Sequence, residues 1–256
     1  MAKVISITNQ KGGVGKTTTA INLGTALAIF SKKVLIIDMD PQANATSGLG
    51  VLKTDSIYQA LIGKKTLKSL IQYTSIKNLF LVPSNISSIA IESELKDKEG
   101  KEFILKNLVT QVKDQFDYIL IDCPPSLSLF TINALVASDS VLIPVQCEYF
   151  ALEGLAQLIN TINLAKKTFN PNLKIEGILL TMHDKRNNLS RQVENEIKQH
   201  FFKYMFKTLI PRNIKLAEAP SFGKPVITYD IKSAGSVNYL ALAKEVLKSG
   251  WKKSFG

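Results

Sequence analysis

The chain has 256 residues, of which 45% are hydrophobic, a length and composition typical of a globular protein with a buried core. No apolar run approaches the roughly 20 residues that cross a bilayer, and the first predicted strand begins too early to leave room for a signal peptide. The net charge of +11 is uneven: residues 1–180 carry 18 basic against 15 acidic residues, and residues 181–256 carry 14 against 6. This basic end indicates a polyanionic partner, either nucleic acid or an acidic membrane surface, although charge that serves only solubility gives the same count.

Apolar and amphipathic stretches alternate along the chain and predict strands and helices in turn. The predicted strands are Val4–Thr8, Lys33–Asp38, Leu79–Pro83, Tyr118–Asp122, Ser140–Pro144, Lys174–Thr181 and a short strand or edge at Thr208–Pro211. The predicted helices are Lys16–Ile29, Ile57–Ile62, Leu67–Ile71, a helix-rich stretch from Ile89 to Val112, Leu129–Ala137, Ala151–Thr168, Leu189–Tyr204 and Val237–Lys248. The alternation predicts an α/β fold with a doubly wound, mostly parallel sheet and helices on both faces, in a single domain of residues 1–256.

A glycine-rich loop, Asn9–Thr18, joins the first predicted strand to the first predicted helix. Glycines let successive backbone N–H groups converge on one anion, and the positive end of the following helix points at the same anion. Lys16 supplies a cation for the outer phosphates of a nucleotide, and the Thr17 hydroxyl is suited to ligate Mg²⁺. The stretch therefore predicts a P-loop.

The loop departs from the usual P-loop pattern, G-x-x-x-x-G-K-[ST], because Gln10 takes the place of the first glycine. Lys11 follows Gln10, so the loop carries two lysines. Lys11 is either solvated and idle, or it crosses to a nucleotide held by another subunit and neutralises transition-state charge, as arginine fingers do. Composition alone favours the idle interpretation.

Three acidic residues lie at the ends of predicted strands, at the edge where open α/β sheets bind their ligands. Asp122 closes the apolar run Tyr118–Ile121 and fits a magnesium role through a coordinated water. Asp40 is the candidate for orienting the attacking water, and Asp38 for the outer shell of the metal. The opposite assignment of Asp38 and Asp40 stays open.

The motifs together resemble the ParA-type partition ATPases, specifically their small, Soj-like branch, in a superfamily of deviant P-loop ATPases that also includes MinD. The resemblance rests on the stretches Asn9–Thr18, Asp38–Thr46, Asp122–Leu127, Pro144–Gly154, Ile210–Asn213 and Glu218–Pro225, which follow one another over nearly the whole chain. It implies ATP and Mg²⁺ as cofactors, hydrolysis of ATP, and a homodimer that encloses the nucleotides between its subunits.

The resemblance also implies roles for individual residues. Lys11 would be the signature lysine that reaches the phosphates of the partner's ATP, with Lys16 on the chain's own phosphates and Asp40 on the hydrolytic water. The implied nucleotide-binding residues are Gly12, Gly13, Val14, Gly15, Thr17 and Thr18 at the phosphates and Mg²⁺, and Pro211, Arg212 and Asn213 at the adenine. Glu148, Phe150 and Glu153 fall in the stretch that the family places at the dimer interface.

Members of this family bind DNA without sequence preference, which gives the basic C-terminal third a target. Arg186 and Lys215 lie where Soj-like relatives carry DNA-contacting residues. Their predicted neighbours are Lys198, Lys203, Lys224 and Lys232. The resemblance further implies a ParB-like partner that stimulates hydrolysis, a location in the bacterial cytoplasm at the nucleoid, and no stable membrane association.

Two other classes of protein share this loop. A MinD-like ATPase would cycle on a membrane, which Trp251 and Phe255 could touch, but Gly250 is expected to interrupt that stretch. An iron–sulfur carrier or reductase of the nitrogenase-iron-protein or Mrp type needs cysteines at a dimer interface. Cys123 and Cys147 instead lie at predicted core strand ends, where they are expected to be buried, reduced thiols.

Overall fold

The computed structural model describes residues 1–52 and 55–251, and a seven-stranded sheet runs through this part of the chain. The strands are β1 Lys3–Ile7, β2 Val34–Asp38, β3 Gln72–Tyr73, β4 Leu79–Val82, β5 Tyr118–Asp122, β6 Ser140–Gln146 and β7 Lys174–Thr181. Their order across the sheet is β3-β4-β2-β5-β1-β6-β7. Neighbouring strands are parallel except for β3, which pairs antiparallel with β4 at one edge.

Helices surround this sheet. The α-helices are α1 Lys16–Ile29, α2 Asn44–Gly48, α3 Ile57–Leu61, α4 Ile91–Glu94, α5 Ile104–Thr110, α6 Leu129–Ala137, α7 Ala151–Thr168, α8 Asn188–Phe201, α9 Ile214–Glu218, α10 Val226–Tyr229 and α11 Ala234–Trp251. Short 3₁₀ turns lie at Lys68–Leu70, Ile86–Ala90, Lys101–Phe103, Lys113–Gln115, Phe202–Tyr204 and Ala219–Phe222. Among the described residues, none of the helices combines the length and the apolar character needed to cross a membrane.

Alternate residues of the central strands enter different hydrophobic cores, which confirms the doubly wound sheet. In β2, Val34 and Ile36 pack in a cluster with residues of α1, α10 and α11, whereas Leu35 and Ile37 pack with residues of α3, α5 and α6. A third cluster joins β6 and β7 to α7 and α8. Because helices cover both faces, the strands are almost continuously apolar instead of alternating with polar residues.

The stretch Thr208–Pro211, predicted as a short strand or edge, is an edge and not a regular strand: the Ile210 N–H donates to the Leu180 carbonyl of β7 at 2.9 Å. The carboxylate of Glu245, on α11, accepts the backbone N–H groups of Lys207 and Thr208 at 2.9 and 2.7 Å. These donors therefore pair with a side chain of α11 instead of joining a ladder with β7. Only Pro211 forms a single bridge, to His183.

Other elements differ from the prediction mainly in extent. The sequence missed β3, α2, α9 and α10, each of five residues or fewer, because such short elements depend on tertiary contacts more than on a local pattern. The predicted helix 189–204 ends at Phe201 and continues as a 3₁₀ turn. The last helix begins three residues earlier than predicted and runs through Gly250, where an interruption was expected. Phe255 lies outside the described residues.

Candidate active site

The loop between β1 and α1 is held by side chains at the strand ends around it. Asn9 Nδ2 donates to the Pro144 carbonyl at 2.7 Å, and Asn9 Oδ1 accepts the Lys11 backbone N–H at 3.0 Å. Thr181 Oγ1 donates to the Val14 carbonyl at 2.8 Å, so β6 and β7 both fix the loop. Gly15, at the start of α1, has a φ of 88°, which glycine adopts without steric cost. These contacts therefore hold the backbone of the loop in place.

The loop forms part of the wall of a cavity of about 1010 Å³. The predicted nucleotide-binding residues that line this cavity are Gly12, Gly13, Gly15, Lys16, Thr17 and Thr18, and Asp40 lines it with them. Lys16 is only 7% exposed, and its Nζ donates to the Lys11 carbonyl at 2.9 Å. Burial lowers the pKa of Lys16, and the neighbouring Asp122, Cys123 and Asp40 oppose that shift. The cavity thus combines a buried lysine with the start of a helix, as phosphate binding requires.

Asp122 ends β5, beside Ile7 of β1 and Asp38 of β2 in the parallel register. Both carboxylate oxygens are buried, and neither makes a hydrogen bond of normal geometry among the described residues, although the Thr17 side chain is close enough to act on the carboxylate. Burial raises the pKa of Asp122 well above its usual range and the charge of Asp38 adds to this, whereas the nearby Thr17 and Lys16 lower it. A buried carboxylate without a partner is costly unless a cation or a water meets it. Asp122 therefore fits a position next to a bound metal.

The side-chain oxygens at this edge of the sheet suit Mg²⁺, which takes part of its ligands from the nucleotide and water, better than a metal ion whose ligands all come from the protein. Within residues 1–52 and 55–251, no group of three or more His, Cys, Asp or Glu side chains could hold a metal ion. Mg²⁺ commonly takes one or two protein oxygens and completes its octahedron with waters and substrate phosphates. Thr17 in the cavity wall and the buried Asp122 supply such oxygens. Mg²⁺ bound here would neutralise phosphate charge.

Asp38 and Asp40 have different surroundings. Asp38 is fully buried, and its Oδ2 accepts the Thr46 N–H and hydroxyl at 2.9 and 2.7 Å. Its Oδ1 accepts the Asp40 N–H at 3.1 Å. Burial raises the pKa of Asp38 to about 6, while the donors from Thr46 and Asp40 limit the shift. Asp38 thus anchors the turn that carries Asp40, and its outer-shell metal role stays a prediction.

Asp40 itself lines the cavity and is 7% exposed. Its Oδ1 accepts the Gln42 N–H at 2.9 Å, and its carbonyl accepts the Ala43 N–H at 2.8 Å. These two hydrogen bonds close a tight turn in which Ala43 has a positive φ of 55°. The carboxylate of Asp40 is therefore held at the cavity with one oxygen left to meet a water, which favours it over Asp38 for that role.

Lys11 points away from the cavity that Lys16 enters. Its Nζ donates to Glu148, which also accepts a hydrogen bond from the Gln146 side chain. The side chains of Lys11 and Glu148 are 45% and 44% exposed. Next along the chain, Tyr149 and Phe150 are exposed aromatic residues in edge contact with each other. The tip of the loop thus belongs to a mixed charged and aromatic surface outside the nucleotide cavity.

None of the three residues predicted at the adenine lines the cavity of the P-loop. Pro211 and Arg212 line a second cavity of about 850 Å³, together with Arg186, and not the cavity of the P-loop. Asn213 lines neither cavity, and its buried Oδ1 has no hydrogen-bond partner among the described residues, so the adenine role of these three residues stays a prediction. Met182 lines the first cavity and His183 the second, so the two adjoin here.

The predicted DNA-binding cations do not form one free surface. Arg186, Lys198 and Lys215 each pair with an acid of the same chain, namely Asp184, Glu194 and Glu218. Lys232 is exposed. Lys224 lines the P-loop cavity instead of the second, basic cavity where Arg186 lies. Lys185 and Lys207, which the sequence did not single out, line that second cavity as well.

The two cysteines do not suit a cluster shared between subunits. Cys123 and Cys147 are free thiols with 1% and 6% exposure. Burial raises the pKa of Cys123 strongly and that of Cys147 to about 12, which opposes the thiolate form that ligates iron. Their positions agree with the predicted structural role in the core.

Sequence reasoning missed the residues that hold the site in shape. Asn9, Thr46 and Thr181 fix the loop or the Asp40 turn through hydrogen bonds to the backbone or to Asp38. Asn9 and Thr46 lie at the ends of motifs that the sequence had already indicated, and this position was the only hint that they belong to the site. Thr181 has no such signal, because only the parallel pairing of the strands brings it to the loop.

Comparison with known proteins agrees with this geometry. An AAA domain family matches residues 2–175. The sporulation initiation inhibitor protein Soj of Bacillus subtilis is 54% identical, over 98% of this chain and 100% of that protein. The chromosome partitioning protein ParA of Myxococcus xanthus is 51% identical, over 99% of this chain and 91% of that protein. The chain belongs to the Soj/ParA family of P-loop ATPases.

A solved structure extends the comparison to the ligands. Cobyrinic acid a,c-diamide synthase from Mycobacterium smegmatis, with bound ADP and magnesium, has a TM-score of 0.87 and 32% identity. The match covers 99% of this chain and 97% of that one. Its fold and its nucleotide are relevant to this member of the Soj/ParA family, whereas the reaction in its name belongs to that protein.

Proposed function

We propose that this protein is a DNA-partition ATPase whose ATP-bound dimer binds DNA without sequence preference. A ParB-like partner stimulates hydrolysis of the ATP, and the dimer then separates and leaves the DNA. Lys16 and Thr17 hold the phosphates and Mg²⁺ of the chain's own nucleotide, Asp40 orients the water, and the cycle takes place at the nucleoid in the cytoplasm. Family membership and the P-loop, whose backbone is held in place by Thr181, support this proposal.

The position of Lys11 carries the proposal. Lys16 lines the cavity of its own chain, but Lys11 does not, and its ammonium rests on an exposed glutamate. An exposed ion pair of this kind contributes about 0–1 kcal/mol, so several phosphate charges on a partner's nucleotide can displace Glu148. The exposed rings of Tyr149 and Phe150 beside it supply apolar surface for subunit contact.

The predicted DNA-binding residues fit a phosphate-backbone mode of binding. Arg186 and Lys215 are paired with single acids on exposed surface, and such pairs are readily exchanged for DNA phosphates. Lys185, Lys207 and Arg212 add further cations around Arg186 in the second cavity. Contacts of this kind carry no sequence information and weaken with salt, because they act by releasing counterions.

Co-sedimentation with DNA and with anionic liposomes, each with ATP or ADP, tests this function. We expect ATP-dependent retention on DNA and none on liposomes. The double variant Arg186→Glu/Lys215→Glu should lose DNA retention at moderate salt, whereas Lys64→Glu/Lys68→Glu, the same charge change at other exposed lysines, should keep most of it. ATP-dependent binding to liposomes but not to DNA would favour a membrane-cycling ATPase. Equal loss in both double variants would contradict the proposed surface.

A further inference from the structure

Part of the wall of the nucleotide cavity comes from the C-terminal segment 219–226. Ala219, Pro220, Ser221, Lys224 and Val226 line the cavity together with the P-loop. Lys16 and Lys224 are the two cationic side chains among the described lining residues, and Asp40 is the one anionic side chain there. Lys224 thus lies in the wall of the cavity that the P-loop also lines, although its place in the sequence suggested a DNA contact.

The backbone at Lys224 is fixed relative to the P-loop helix. The Asn22 side chain bridges the two, since its Nδ2 donates to the Thr18 carbonyl and its Oδ1 accepts the Val226 N–H, both at 2.8 Å. The Lys224 N–H donates to the Ala219 carbonyl at 3.2 Å. The backbone that carries Lys224 is therefore held in place by hydrogen bonds at the cavity wall.

A close backbone contact ties the same segment to the chain just after α2. Gly223 and Gly50 both have positive φ, 62° and 66°, and a Cβ added to Gly223 would lie 2.9 Å from the Gly50 Cα. That distance admits no side chain at Gly223. The segment that carries Lys224 thus packs directly on the chain that follows α2.

The ammonium of Lys224 is available for a ligand. In the described part of the chain, no ion pair involves Lys224, which is exposed at the cavity. Lys215, by contrast, is held by Glu218 at 2.9 Å and lies over the Tyr229 ring. An unpaired cation in the wall of a phosphate site meets the charge of the phosphate chain as soon as a nucleotide enters.

We propose that Lys224 binds the phosphate chain of the nucleotide held by its own subunit, and not DNA. The assignment rests on the proposed function for the identity of the nucleotide. It makes the C-terminal segment a part of the ATP site, so that Lys224 contacts the ligand from a different element than Lys16. A contact from a lysine contributes charge without a fixed geometry, and arginine at the same position can replace it.

Binding of Mg²⁺-ADP to Lys224→Gln, Lys224→Arg and the wild type tests the proposal. We expect the dissociation constant to rise about tenfold in Lys224→Gln, as for loss of one partly exposed charge-assisted contact, and to return to within about twofold in Lys224→Arg. Lys166→Gln, which removes another exposed lysine, on α7, is the control for net charge and should match the wild type. Thermal unfolding of each variant verifies that the fold is intact.

DNA binding at saturating ATP separates the two assignments. We expect the salt dependence of Lys224→Gln to equal that of the wild type, whereas loss of a phosphate contact to DNA lowers the slope by about 0.9. Unchanged Mg²⁺-ADP affinity in Lys224→Gln, or an equal loss in Lys166→Gln, would overturn the inference while the proposed function stands. A wild-type protein that binds no nucleotide would contradict both this inference and the proposed function.

Discussion

Lys11→Ala removes a side chain that the structure places outside its own nucleotide cavity. The change breaks the exposed pair with Glu148, which is worth about 0–1 kcal/mol, so the free energy of unfolding should fall by no more than that. The Lys11 carbonyl, which accepts from Lys16, is retained in the variant. Binding of ADP by a single subunit should therefore stay within about twofold of the wild type.

The same change should have a large effect once two subunits meet. A charge supplied from a partner to the transition state of phosphoryl transfer is worth about 10³-fold or more in rate, or about 4 kcal/mol. We therefore expect Lys11→Ala to lose ATP-dependent dimers in analytical ultracentrifugation. Phosphate release stimulated by DNA and a ParB-like partner should fall about 10³-fold.

A matched control exists on another part of the surface. Lys65 pairs with Asp55, and their side chains are 42% and 43% exposed, nearly the same as those of Lys11 and Glu148. Lys65→Ala therefore removes an equivalent ion pair and should leave dimers and hydrolysis unchanged. Stimulated phosphate release at the wild-type level in Lys11→Ala would refute the role in the partner's site. Loss of ADP binding in that variant would show instead that Lys11 serves its own nucleotide.

Three further predictions follow from the site. Asp40→Ala should keep nucleotide affinity but lower the rate of ATP hydrolysis about 100-fold or more. Phosphate release measures this rate, with the exposed Asp114→Ala as the control. Hydrolysis at the wild-type rate in Asp40→Ala would show that another residue orients the attacking water. Because burial raises the pKa of Asp122, binding of Mg²⁺-ATP should release protons, and apparent Mg²⁺ affinity should rise with pH. Calorimetry in buffers of different ionisation enthalpy measures this release, and binding without proton release would show that Asp122 is already ionised. Asn22→Ala leaves the Val226 N–H unpaired and removes the side-chain bond to the Thr18 carbonyl, so it should cost about 1–3 kcal/mol of stability in urea unfolding. The exposed control Asn195→Ala should cost little, and equal costs in the two variants would contradict the bridge.

The local sequence was sufficient for the parts of the site that lie on one continuous stretch. The glycines and Lys16 act through the backbone of a single turn and the helix that follows it, so their spacing along the chain already fixes their geometry. The strands of the central sheet could also be predicted from the sequence, because burial on both faces gives them continuous apolar runs. Short elements such as α2 and α10 could not be predicted, since four or five residues are too few to show a helical repeat of apolar positions.

Tertiary structure decided where distant side chains meet. A surface lysine such as Lys224 has the same local pattern whether it faces DNA or a cavity, and the segment that packs Gly223 on Gly50 brings it to the wall of the P-loop cavity. The fold also brings Arg212 beside Arg186 in the wall of the second cavity, and the adenine role of Arg212 stays a prediction. The sequence by itself thus determined the fold class, the P-loop and the family resemblance, because these depend on local periodicity and on contiguous motifs. The direction of Lys11, the anchoring of Asp40 and the position of Lys224 depend on contacts between segments far apart in the chain, which only the folded structure brings together.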